Sequence, residues 1–199
     1  MRVLKQVFRR CGLAPTFTAI TLVTLALGIG ANTAIFSVVN GVLIKPLPYP
    51  HPQELVGVWH LAPGIPSIGG NINCSPTMYF TYREENQTFQ DIGIWSNGGA
   101  SVTGVGDPEQ LRALFVTYGV LQAVGVQPAI GRWFSLADDT PGSPETVMLT
   151  YGYWQRRFGG DKSVIGRSLN IDSKPRTVIG VMPQDFRFLN IDPELVLPQ

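Results

Sequence analysis

At 199 residues, with 22 glycines and 16 prolines, the chain has room for one apolar anchor and one outer domain with its own core, built from short elements. The formal net charge of +1 hides a split: Arg2, Lys5, Arg9, Arg10 and Lys45 stand before residue 46, whereas the ten later Lys and Arg face fourteen Asp and Glu. The only basic cluster is the N-terminal tail, which gives nucleic-acid binding no support, and two cysteines, Cys11 and Cys74, supply neither a disulfide framework nor a zinc cluster.

In chain order, residues 1–15 form a basic tail and residues 16–44 a predicted transmembrane helix. From Cys11 to Ile44 there is no Asp, Glu, Lys, Arg or His, and about 20 apolar residues of helix suffice to cross a bilayer. A buried core helix rarely stays uncharged for so long. A cleaved signal peptide has an apolar region of about 7–15 residues ending at a small-x-small site, and no such site interrupts this run. Basic residues near a helix end stay cytoplasmic, so Arg2, Lys5, Arg9 and Arg10 predict an inner N-terminus, with everything after Lys45 outside. Cys11 and Cys74 then lie on opposite sides and cannot pair; Cys74 is expected to be buried and inert. Ala26, Gly30, Ala34 and Val38 recur at i, i+4, and Gly30 with Ala34 lets a second helix approach closely. Asn32 and Asn40 place amides near membrane depth, where an unpaired polar group is costly. Ala26, Gly30, Ala34 and Asn32 are therefore the candidate helix-packing residues.

Residues 45–53 form a proline-rich exit segment, in which Tyr49 can sit at the membrane interface. Residues 54–199 are predicted as a mixed α+β outer domain. Glu54 to Leu61 is predicted as a strand and Ala62 to Asn73 as a loop. A helix starts at Ser75-Pro76, with an apolar stripe of Met78, Tyr79, Tyr82 and Phe89. Two strands follow, residues 92–96 and 100–105, then a turn at residues 106–109 and a strand at 110–117. A short helix spans residues 118–124. The acidic stretch from Asp138 to Glu145 is read as a solvated loop. Thr146–Leu149 is a buried strand, and Thr150 is placed to cap a helix bearing Tyr151, Trp154 and Phe158 and ended by Gly159-Gly160. Strands at residues 168–171 and 176–181 flank Asp172-Ser-Lys-Pro175 as a hairpin.

No spacing suggests catalysis, a cofactor or a metal site. His51 and His60 are the only histidines, and neither has a metal-ligand neighbour in the pattern. Gly28-Ile-Gly30 lies inside the apolar run, and Gly104-Val-Gly106 precedes Asp-Pro as a turn. Asp138, Asp139 and Glu145 could hold a divalent cation, but the solvated-loop reading is preferred. Asn86-Gln-Thr88 is a formal glycosylation sequon. The chain reads as a non-enzyme.

Several stretches resemble one family. Leu27-Gly-Ile-Gly-Ala-Asn-Thr-Ala-Ile-Phe-Ser-Val-Val-Asn-Gly-Val-Leu-Ile-Lys-Pro-Leu-Pro-Tyr49 looks like the first membrane helix and exit segment of MacB/FtsX-type ABC transporter permeases, most closely the large duplicated variety whose genes often lack an adjoining ATPase. Gly104-Val-Gly-Asp-Pro-Glu109, Gly125-Val-Gln-Pro-Ala-Ile-Gly-Arg-Trp-Phe134, Tyr153-Trp-Gln-Arg-Arg-Phe-Gly-Gly-Asp161, Val164-Ile-Gly-Arg167 and Val178-Ile-Gly-Val-Met-Pro183 extend the resemblance along the chain. It implies a bacterial inner-membrane permease whose periplasmic core domain relays motion driven by a separate cytoplasmic ATPase, with other permease helices or a second permease copy as neighbours. It also implies a core domain left incomplete at Leu195-Val-Leu-Pro-Gln199, the chain being a truncated product or a fragment of a longer frame. The alternative it carries is a membrane-anchored signalling or binding module that transports nothing and recruits a periplasmic partner such as a cell-wall hydrolase.

Overall fold

The computed structural model describes residues 14–41, 47–61 and 71–199. It divides into two units, Met1–Pro46 and Leu47–Gln199.

The first unit holds helix α1, Pro15–Val39. It begins on a proline, whose missing amide costs nothing at the first helical position, and its hydrogen bonding continues through Asn40, whose N–H reaches the carbonyls of Phe36 and Ser37. Residues 42–46, at the far end of the predicted helix, lie outside the described residues. At 1.5 Å per residue, α1 is about 38 Å long, more than the roughly 30 Å of a bilayer core. None of its residues is buried. The hydroxyls of Thr18, Thr21, Thr24 and Thr33 donate to the carbonyls of Ala14, Phe17, Ile20 and Ile29 at 2.8–3.0 Å, so these polar side chains present mainly carbon to their surroundings. Among the described residues, α1 is the one helix long and apolar enough to cross a membrane.

The second unit is the predicted mixed α+β domain. Its elements are β1 (His60–Leu61), β2 (Asn71–Ile72), α2 (Pro76–Glu85), β3 (Trp95–Thr103), β4 (Glu109–Val116), α3 (Gly119–Ala123), β5 (Ile130–Gly131), β6 (Thr146–Leu149), α4 (Tyr151–Phe158), β7 (Ser168–Ile171), β8 (Lys174–Val181) and β9 (Leu195–Pro198). β1 and β2 form a separate two-stranded ribbon. The main sheet runs β5-β8-β6-β9-β4-β3-β7, and β7 also pairs back onto β8. Six strands therefore close into a ring, with β5 appended to β8. The β4/β9 and β6/β8 pairs are parallel and the others antiparallel.

Alternation of side chains gives the sheet two apolar faces. Leu111, Ala113, Val147, Leu149, Leu195 and Leu197 join one core cluster, which also takes Tyr153 and Trp154 of α4. Their neighbours Leu114, Met148 and Val196 point into a second cluster with Val120, Leu121 and Phe134. Where β8 meets β6, the register runs Val147 to Val178 and Met148 to Gly180, skipping Ile179, a bulge that bends the strand.

Several predicted elements are altered. Only His60–Leu61 of the strand expected at residues 54–61 joins a ladder; Pro52–Glu54 is a 3-10 turn, and residues 55–59 have no ladder partner among the described residues. Strand propensity is present there, but a neighbour is not. The strands expected at residues 92–96 and 100–105 are one strand, because Asn97, Gly98 and Gly99 pair with Leu114, Ala113 and Arg112 of β4 and stay extended. The hairpin turn is two residues rather than four: Asp172 and Ser173 take φ of 51° and 64°, and Lys174 and Pro175 already belong to β8. Of the stripe expected on α2, Tyr79 is buried, while Met78 and Phe89 are exposed. Ser75 caps α2 by accepting from the Met78 N–H at 3.3 Å. Thr150 does not cap α4; its hydroxyl donates to the Glu194 carbonyl at 3.1 Å instead, since β9 brings that acceptor within reach.

Candidate functional site

The feature of the outer unit that sequence reasoning placed elsewhere is Tyr49. Its ring is buried in the domain, a packing role that the sequence reading did not give it. The phenol donates to the Arg187 carbonyl at 3.3 Å and accepts from the Leu189 N–H at 2.9 Å. Burial pushes the phenol above its ordinary pKa, against the lowering effect of the Leu189 N–H. Pro48, Tyr49 and Pro50 form a strap along one wall of a cavity of about 320 Å³, opposite Gly125, Val126, Gln127, Pro183, Asp185, Phe186 and Arg187. Prolines on both sides of Tyr49 restrict the strap, whose Tyr49 N–H turns back to the Leu47 carbonyl at 2.8 Å, so little conformational freedom is lost on docking. The only sequence signal was an aromatic between two prolines, which an interfacial residue shares.

A second connection centres on Glu194, which no motif signalled. Its carboxylate meets Arg156 of α4 at 2.7 Å and accepts from the Arg112 N–H of β4 at 3.3 Å, while its carbonyl takes the Thr150 N–H and hydroxyl. One residue thus joins β9, β4 and α4. Arg156 and Arg157 extend the contact to Glu109.

The acidic loop is less solvated than expected. Asp138 is held by Arg132 at 2.6 Å and 2.9 Å, and by the N–H and hydroxyl of Ser135 at 2.7 Å and 2.6 Å; its side chain is only 6% exposed. Burial alone would raise its pKa, but the hydrogen bonds from Arg132 and Ser135 and the Arg132 charge outweigh it and hold the carboxyl well below the usual carboxylate range. Its neighbour Asp139 is pushed up by burial, although it accepts from the Tyr118 N–H. Glu145 is lowered, first by its hydrogen bond from Lys174 and also by Arg176, against burial. The three carboxylates thus have separate partners. Among the described residues, no group of three His, Cys, Asp or Glu converges on a metal position.

Asp138 is lowered in the folded state relative to about 3.9 unfolded, so its ionised form stabilises the fold above that pH and the contribution is lost as pH falls. Asp138→Asn is expected to flatten the acid limb of stability between about pH 5 and 2, measured by denaturant unfolding. An unchanged slope would argue against this assignment.

The remaining sequence candidates are not brought together. His60 shares a 2.7 Å hydrogen bond with the Tyr82 hydroxyl, and His51 precedes the 3-10 turn. Cys74 is half-buried rather than buried, and burial raises its thiol pKa. The Asn86 side chain is engaged locally, accepting from the Thr88 and Phe89 N–H groups. Ala26, Gly30, Asn32 and Ala34 lie exposed on α1, and a Cβ added at Gly30 would meet nothing within 4 Å. Arg2, Lys5, Arg9 and Arg10 lie outside the described residues, as do Cys11 and Lys45.

Residues 18–199 match the MacB-like periplasmic core domain family. The chain belongs to that family. Its fold is shared by the periplasmic region of MacB from Actinobacillus actinomycetemcomitans, with a TM-score of 0.53 at 13% identity over 70% of this chain and 62% of that one. The extracellular domain of the noncanonic ABC-type transporter YknZ from Gram-positive bacteria aligns over 58% of this chain and 57% of its own, with a TM-score of 0.47 and 14% identity. The chain therefore spans less than two thirds of each of these structures. No curated protein matches it. The outer unit is thus a MacB-like core domain by family, and the apolar N-terminal helix fits membrane anchoring.

Proposed function

We propose that this chain is the N-terminal part of an ABC-type export permease of the inner membrane, and that its outer domain relays movement driven by a cytoplasmic ATPase subunit. The N-terminus lies in the cytoplasm, α1 spans the bilayer, and the MacB-like domain is periplasmic. Ala26, Gly30 and Ala34 form a face on which other permease helices or a second permease copy pack, while Asn32, two residues from Gly30 and from Ala34, offers its amide to a neighbour on the opposite side of α1.

The observation that carries this reading is the Tyr49 strap. The segment that follows the anchor in sequence is fastened to the outer domain by a buried ring and two hydrogen bonds. A displacement of the strap thus acts on the backbone at Arg187 and Leu189, next to Phe186 and Phe188 of the second core cluster. A flexible tether would dissipate the same displacement.

The test is Tyr49→Phe beside Tyr49→Ala, in membranes that also hold the ATPase subunit. The first leaves the Leu189 N–H without its acceptor, at a cost of about 1–3 kcal/mol; the second also removes the ring. Hydrogen exchange of the outer domain is expected to respond to ATP in the natural chain and to lose at least about half of that response in Tyr49→Ala. A full nucleotide response in a folded Tyr49→Ala protein would overturn the relay. Orientation is checked separately. In cells permeabilised only at the outer membrane, an impermeant maleimide is expected to spare Cys11, and modification of Cys11 would reverse the topology.

A further inference from the structure

Among the described residues, the outer edge of β3 is unpaired over half its length. Thr103 and Val102 face Asn170 and Ile171 of β7. At Ser101, both backbone groups are taken by Asp172, whose N–H donates to the Ser101 carbonyl at 2.9 Å and whose carboxylate accepts the Ser101 N–H at 2.8 Å. On the opposite edge, the Ile94 carbonyl accepts from the Thr117 N–H. With a period of two along the strand, the N–H and C=O groups of Trp95, Asn97 and Gly99 point outward like those of Ser101. Among the described residues, no backbone group pairs with them. All five residues from Trp95 to Gly99 are exposed.

The devices by which a strand's own sequence protects such an edge are absent from β3. Trp95–Thr103 contains no charged residue and no proline, and its pairing with β4 runs without a bulge. The outward groups are also self-complementary. If a second β3 lies antiparallel about Asn97, Asn97 faces Asn97 and Trp95 faces Gly99 in both directions. Each of these facing pairs exchanges two backbone hydrogen bonds. Trp95, 41% exposed and set edge-on against Phe188, then covers the bare backbone of Gly99 on the other copy, an arrangement that compensates glycine on an edge strand. Because the segment carries no charge, the two copies meet without like-charge repulsion at the contact.

We propose that two copies of this chain pair edge to edge through β3, antiparallel about Asn97. About five residues per copy fall well short of a standard interface, so the contact depends on confinement of both copies to one bilayer, which raises their effective concentration to the millimolar range. For that concentration it rests on the reading of α1 as an anchor.

The test uses the full chain in liposomes, in a Cys11→Ser, Cys74→Ser background. In an antiparallel hydrogen-bonded pair, facing Cα atoms lie about 5.5 Å apart, within disulfide range. Asn97→Cys is expected to form a disulfide-linked dimer under mild oxidation about tenfold faster than Lys162→Cys, an exposed position elsewhere on the domain. Asn97→Lys, which sets two charges face to face, is expected to abolish energy transfer between differently labelled copies. Equal cross-linking at both positions, no cross-link at Asn97, or undiminished energy transfer in Asn97→Lys would each overturn the proposal. Failure of the anchor is read independently: a chain that floats with the liposomes but does not cross-link refutes edge pairing and leaves anchoring intact.

Discussion

A chain ended at Glu194 is expected to lose cooperative folding of the outer unit, although only Leu195–Gln199 are removed. The first four of those residues form β9, which lies between β4 and β6 in the sheet. It pairs with β4 at four positions and with β6 at two. Leu195, Val196 and Leu197 are each fully buried; Leu195 and Leu197 fill one core cluster and Val196 the other. Burial of each such side chain contributes roughly 1.5–3 kcal/mol, and the cavities left behind cost more. Their loss is comparable to the whole stability of an ordinary domain, about 5–15 kcal/mol. It also exposes the facing edges of β4 and β6 and interrupts the ring. Urea unfolding followed by near-UV circular dichroism should show no cooperative transition in the shortened chain. A transition with the natural midpoint would mean that the ring closes without β9.

Gly131→Ala is expected to destabilise the outer unit by about 3 kcal/mol or more, against about 1 kcal/mol for Gly142→Ala. Both glycines have φ of +84°, so both substitutions carry the cost of a left-handed side-chain-bearing residue. They differ in their surroundings. Around Gly142 an added Cβ meets nothing within 4 Å. At Gly131 it runs into the Ile179 carbonyl oxygen and comes within 2.7 Å of the Gly180 Cα. Gly131 and Gly180 are a facing pair between β5 and β8, and a Cβ at Gly180 would in turn lie 2.8 Å from the Arg132 carbonyl oxygen. Neither backbone can retreat cheaply, because the other edge of β8 is bound to β6. Thermal unfolding of the two variants in parallel separates the shared backbone cost from the collision. Equal losses would show that β5 yields without strain.

These glycines show what kind of information the family motifs carry. Gly131 belongs to Gly125-Val-Gln-Pro-Ala-Ile-Gly-Arg-Trp-Phe134 and Gly180 to Val178-Ile-Gly-Val-Met-Pro183. As strings they pointed to a family; in the fold they are two backbones meeting at a position that admits no side chain.

The sequence by itself determined the features that depend on neighbours along the chain. The uncharged run became α1, Ser75-Pro76 started α2, Gly159 ended α4 with a left-handed φ of 60°, and Asp172-Ser173 made the turn between β7 and β8. Each rests on local forces: burial periodicity, capping, or the backbone freedom of one residue. Only the tertiary structure decided features that depend on a partner distant in sequence. Residues 55–59 have the composition of a strand but no ladder partner among the described residues, while Asn97-Gly98-Gly99 looked like a break and became strand because β4 lay alongside. Leu195–Pro198 is too short to signal its role and is central because β4 and β6 receive it from both sides. Tyr49 is held in the outer unit because Arg187 and Leu189, about 140 residues later, offer its hydroxyl an acceptor and a donor. A hydrogen-bond partner that far along the chain leaves no trace in local pattern, since its position is set only when the sheet has closed.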